Sequence, residues 1–254
     1  MIHHEKKRQK GFTIIEVILF LAISGMMMAG LLVAVSGGIN YERYKDATNS
    51  LDDFLKEQYN LVDNVQNARN VADDGGLIGC KDATVAGTSK NCTIIGRYIA
   101  SDADAVSITS WPVIATTDIV ELLGNSGSGT SSDAALYEDM GLEVLRNVEE
   151  MTREYDLRWQ TAIVAPGSSE AVRPFRMVLL RSPLSGTIST YIVGGFRETP
   201  KVSEVIAGTA AEKTYLCVDP RGLASFEQKT GISVSPSGVN SAAVQFATAG
   251  ECRE

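Results

Sequence analysis

Residues 12–39 are the longest apolar stretch of the chain, and the one charge they carry is Glu16. A run of that length can cross a bilayer, which takes about 20 apolar residues at a rise of about 1.5 Å each. Before it stand five charged residues between Glu5 and Lys10, four of them basic, and then Gly11. Basic residues stay on the cytoplasmic side of a membrane, so the chain beyond the run is sent outward. Glu16 is the anomaly. On insertion scales an acidic residue at the centre of a membrane helix costs about 2.5–3.5 kcal/mol, and less near the interface, where snorkelling relieves it. Its place in the run calls for a partner.

The order Lys10-Gly11-Phe12-Thr13-Ile14-Ile15-Glu16-Val17, with a basic leader before it and an uninterrupted apolar run after it, resembles the type IV pilin superfamily, which includes pilins, minor pilins and the pseudopilins of type II secretion. The resemblance covers about the first 40 of 254 residues. It implies a prepilin leader, 1–11, cut by a membrane-embedded prepilin peptidase between Gly11 and Phe12, with methylation of the new Phe12 amine. It implies that Glu16 meets a cationic N-terminus, its own or a neighbour's, during subunit assembly. The partners it implies are other pilin or pseudopilin subunits, the peptidase, the membrane before assembly and an inner-membrane assembly platform. The location it implies is the bacterial cytoplasmic membrane, single-pass with the C-terminal part outside, and then an extracellular or periplasmic filament. Many pilins carry a Gly and then a Pro in this helix. Gly25 matches the first, but Val33 stands where the Pro would be, which leaves melting of the helix on assembly open.

Charge and cysteines bound the rest. Removing a leader of charge +3 from a chain of charge −8 leaves −11, an acidic balance that argues against nucleic acid as the default partner. Four cysteines in an extracytoplasmic chain can pair in three ways, and local spacing favours Cys80 with Cys92 and Cys217 with Cys252. Pilin-like proteins often end in such a disulfide-bounded segment. Both histidines, His3 and His4, lie in the leader. A processed chain therefore has none, which excludes Ser-His-Asp, Cys-His and His-ligated zinc sites. No Walker-type loop and no G-x-G-x-x-G are present, so no enzyme is expected. Asp73 with Asp74, and Asp102 with Asp104, offer carboxylates of the kind Ca²⁺ takes, but neither pair fits an EF-hand and both read as solvated loop acids. No cofactor or metal is expected.

The periodicity predicts an α+β fold in which a long N-terminal helix, membrane-spanning in its first half, packs on an antiparallel β-sheet, as the resemblance also implies. Four segments follow: the leader 1–11, a transmembrane and filament-core helix 12–39, its amphipathic continuation 40–72, and an extracytoplasmic globular α+β domain 73–254. Tyr41, Tyr44, Thr48, Leu51, Leu55, Gln58, Val62 and Val65 recur at spacings of three and four, with Asp52, Asp53, Lys56 and Glu57 elsewhere on the surface. Asp73-Asp74-Gly75-Gly76 supplies the stop. Residues 93–100 and 105–117 have strand composition, with Pro112 marking an edge or a break. Helices are predicted at 118–123 and 133–151, and a loop at 124–132. Strands are predicted at 155–163, 175–180, 187–196, 215–218, 223–226 and 242–247. A type I turn at Asp219-Pro220-Arg221-Gly222 joins two of them.

The expected function is that of a structural subunit of a type IV pilus or type II secretion pseudopilus. The size and long loops favour a minor pilin. The alternative is an exported or membrane-anchored binding protein or adhesin with an ordinary signal sequence, cut after Ala34-Val35-Ser36. Against it, a signal sequence has an apolar core of only about 7–15 residues and would not hold Glu16.

Overall fold

This computed structural model describes residues 13–64, 93–116, 136–137, 139–146, 149–168, 171–223, 229–236 and 238–253. The chain divides into two compact units, Met1–Glu42 and Arg43–Glu254. Helix α1 (Ile14–Asp63) is continuous over 50 residues and runs without a break through Gly25, Gly30, Gly37 and Gly38. Helical conformation there survives four residues of poor propensity, each costing about 1 kcal/mol relative to Ala.

In the second unit, α1 buries Tyr44, Ala47, Thr48, Leu51, Leu55, Gln58, Tyr59 and Val62, the three-and-four spacing of one helix face. Asp52, expected on the surface, is buried as well, where its carboxylate pairs with Lys56 at 2.7 Å one turn on. Val65 and the expected helix stop lie outside the described residues, as do the segments 118–123 and 124–132.

Among the described residues the strands pair antiparallel throughout and lie in two sheets, where the sequence predicts one. The larger sheet contains β1 (Thr93–Ser101), β2 (Ser107–Ala115), β3 (Leu142–Val144), β4 (Arg153–Asp156), β6 (Phe175–Arg181) and β7 (Ile188–Gly194), in the order β3-β2-β1-β6-β7 with β4 also on β2. The smaller contains β5 (Ala162–Val164), β8 (Thr214–Asp219), β9 (Gly231–Val234) and β10 (Val244–Ala247), ordered β10-β9-β8-β5. One core joins the α1 face to Ile99, Ile108, Phe175 and Ile192 of the larger sheet and to Leu216, Val218, Ile232 and Val244 of the smaller. Two tyrosines fasten the helix to both. Tyr44 Oη accepts from Thr230 N at 2.7 Å and donates to Val218 O at 2.9 Å, and Tyr59 Oη lies 2.8 Å from Thr190 Oγ1. On its other face the larger sheet packs Tyr98, Val113, Val178 and Leu180 against Tyr137, Met140 and the short helix α2 (Val202–Gly208).

Several local expectations give way to tertiary pairing. Within the predicted helix 133–151, of which 133–135, 138, 147 and 148 lie outside the described residues, residues 136, 137 and 139 are helical and the helical conformation ends by Gly141, whose φ of 59° is left-handed. Beyond it Leu142–Val144 pairs with the open edge of β2, because ladder hydrogen bonds outweigh the helical propensity of this stretch. The predicted strand 155–163 breaks after Asp156 and resumes at Ala162 in the other sheet, across a corner where Trp159 and Gln160 take φ of 60° and 59°. Pro112 falls where β4 ends and β3 begins along β2, and its carbonyl accepts from Leu145 N at 3.0 Å, so the missing N–H faces that gap. The turn after Asp219 is displaced by one residue. Leu223 N donates to Pro220 O at 2.8 Å and both central residues, Arg221 and Gly222, have positive φ, as in type I′ rather than type I. Residues 224–226 of the predicted strand 223–226 lie outside the described residues, and β9 and α2 are elements the sequence did not announce.

Candidate functional site

The first four N–H groups of a helix have no partner within it and carry the positive end of its dipole. Here that end is closed by two side chains three residues apart. Thr13 N donates to Glu16 Oε2 at 3.4 Å, and Glu16 N donates back to Thr13 Oγ1 at 3.3 Å, alongside Thr13 O at 3.1 Å. This is a capping box, in which a Thr before the helix and a Glu at its third position satisfy each other's backbone donors. Glu16 is thereby held where the helix dipole favours a negative charge. The capping role of Thr13 was not assigned from the sequence, although T-x-x-E before an apolar run is its sequence signal. Gly11 and Phe12, the expected cleavage and methylation positions, lie outside the described residues.

Beyond the cap the helix is apolar on every side. Ile14, Phe20 and Met26 are all exposed, on faces that point in different directions around the helix. Among the described residues one helix, over Ile14–Leu32, is long and apolar enough to cross a membrane, and none of that stretch is buried within the chain. A helix hydrophobic all round finds its stable setting in lipid or among other helices.

At the other end of the chain, Cys217 of β8 is bonded to Cys252, with Cα atoms 5.6 Å apart. The bridge sits in a buried cluster with Val164 and Ala247. It needs close strand contact. A Cβ added at Gly231, opposite Cys217, would come within 2.6 Å of the Cys217 Cα and 2.2 Å of Leu216 O. Cys80 and Cys92, and Asp73 with Asp74, lie outside the described residues. Asp102 is a turn residue: its Oδ1 accepts from Val106 N at 2.9 Å and Ser107 N at 3.2 Å between β1 and β2. Among the described residues no group of three or more His, Cys, Asp or Glu is placed to hold a metal ion. A groove of about 850 Å³ beside β3 and α2, lined in part by Leu142, Glu143, Lys201 and Ile206, contains none of the residues singled out from sequence.

Comparison with protein families matches residues 6–32 to the prokaryotic N-terminal methylation motif. Comparison with curated proteins and with solved structures finds no match. The matched stretch contains the basic leader, Gly11, Phe12, the Thr13–Glu16 cap and the apolar helix together, so the chain carries at its N-terminus the signature of the type IV pilins and pseudopilins.

Proposed function

We propose that this protein is a minor pilin or pseudopilin, a structural subunit and not an enzyme, that waits in the cytoplasmic membrane and is then drawn into a filament through α1. The observation that carries the reading is the stretch Ile14–Leu32 of α1, apolar on all sides, whose one carboxylate is fixed at its N-terminal end. Prepilin peptidase cuts between Gly11 and Phe12, and the new amine of Phe12 is methylated. In the bilayer the Glu16 carboxylate is costly, whereas among packed helices it meets the cationic N-terminus of its own or a neighbouring chain. The unit from Arg43 onward, closed by Cys217–Cys252 and by the expected Cys80–Cys92 pair, stays outside the membrane.

The test is the variant Glu16→Ala. Cleavage of the leader is expected to continue, because the cut lies five residues away, while recovery of the subunit in sheared filaments falls at least about tenfold, the effect of about 1.4 kcal/mol. Wild-type incorporation of Glu16→Ala would exclude the assigned role.

A further inference from the structure

Where the chain crosses from β4 to β5 it exposes an indole that the crossing does not require. Leu157 and Thr161 anchor the corner in the core, and Thr161 N and Oγ1 both bond Arg158 O, at 3.3 and 2.9 Å. Between them Trp159 and Gln160 are both left-handed, a conformation that Gly or Asn adopts at less strain. Trp159 nevertheless remains 46 % exposed. Its presentation is controlled by α1. Trp159 Nε1 donates to Asp46 Oδ2 at 3.0 Å, Arg158 Nη1 bonds the same carboxylate at 3.2 and 3.3 Å, and the Arg43 guanidinium lies 4.7 Å from the centre of the ring. Asp46 is neutralised by Arg158 in this arrangement. Arg43 makes no ion pair with any described residue, so the cluster presents one net positive charge beside a half-exposed aromatic ring.

Position along the chain says what meets it. Arg43 follows Ile39, the end of the apolar run, by four residues, and four residues reach no more than about 14 Å whatever their conformation. Residues 17–39 at about 1.5 Å per residue are longer than the roughly 30 Å hydrocarbon core, so the end of the run already lies among the headgroups. Indole rings favour that layer, and a basic residue beside it attracts anionic lipid.

We propose that Trp159, Arg43 and Arg158 form a headgroup contact through which the outer unit rests on anionic phospholipid while the precursor waits in the membrane. The contact rests on the reading that residues 12–39 lie in the bilayer. Its occupant is the phosphate of an anionic phospholipid, paired with Arg43, with the free edge of Trp159 at the depth of the glycerol backbone.

The experiment uses the full chain carrying Trp111→Phe, which leaves Trp159 as the sole tryptophan. It is reconstituted in vesicles of phosphatidylcholine with or without phosphatidylglycerol, some containing lipid spin-labelled at the headgroup or near the chain terminus. Trp159 emission is expected to shift to the blue and to be quenched more by the headgroup label than by the deep label. Both effects grow with phosphatidylglycerol, and Arg43→Gln removes that dependence. Solvent-like, unquenched emission from protein that stays with the vesicles through an alkaline wash overturns the contact alone. A blue shift that follows the protein-to-lipid ratio and ignores lipid composition assigns the surface to a second copy and also overturns it. Loss of the protein from the vesicles in the wash overturns the membrane reading itself.

Discussion

A buried tyrosine hydroxyl joins α1 to each sheet, and both bonds carry a pH dependence. Burial raises the hydroxyl of Tyr44 above the usual range and pushes that of Tyr59 up to about 12, against the lowering effect of its bond to Thr190. Tyr155, stacked on Phe54 with ring centroids 4.9 Å apart, is likewise pushed up to about 12 by burial. The unfolded hydroxyls ionise near pH 10, while the folded ones keep their protons. Their contribution is therefore complete below pH 10 and is lost as pH rises toward about 12. Denaturant unfolding of the wild type is expected to show a steep fall in stability over that interval. Tyr59→Phe removes part of the slope, and at neutral pH costs about 1 kcal/mol for the lost bond to Thr190. An unchanged slope in Tyr59→Phe would contradict the assignment. Neither bond was legible in the sequence, since Thr190 and Thr230 are far from α1 along the chain. The cap was legible: Thr13 and Glu16 are three residues apart, and only the weight given to Glu16 as a membrane charge hid its partner.

Among the elements, the disulfide is the clearest lever on the smaller sheet. Cys217 and Cys252 are 35 residues apart, and a cross-link closing a loop of that size contributes about 3–4 kcal/mol in the chain-entropy model. Cys217→Ala with Cys252→Ala is expected to lower the thermal midpoint on the order of 10 °C, followed by calorimetry of the full chain in detergent. A change of less than about 2 °C would mean that the buried cluster around the bridge, and not the cross-link, holds the chain end. Elements with a marked composition or spacing were readable: β1, β6, β7 and β8 lie where strand composition placed them, and the α1 face from Tyr44 to Val62 follows its spacing. The elements decided by pairing were not. Leu142–Val144 has an ambiguous apolar pattern and becomes a strand because β2 has a free edge, and the change of sheet at Trp159 leaves no mark on the alternation of residues 155–163. Asp52 reads as a surface charge because its burial is set by tertiary packing around α1 and not by its own spacing.

For the whole molecule, α1 is one helix with two chemistries. Up to Leu32 it is apolar in every direction and buries nothing within the chain, and from Tyr44 it is a core element of an α+β unit. That division follows from sequence, because a uniformly apolar run and a one-sided stripe differ in period and not in fine packing. What the sequence shows less clearly is how the outer unit is built, since two sheets sharing one core depend on contacts between residues far apart in the chain. The central claim concerns the first half of α1, and it is tested by the mass of the mature N-terminus after expression in a host with a prepilin peptidase. The account predicts a chain that begins at Phe12 and is one methyl group heavier than the unmodified cut product. A chain beginning at Gly37, or one retaining Met1, would contradict it.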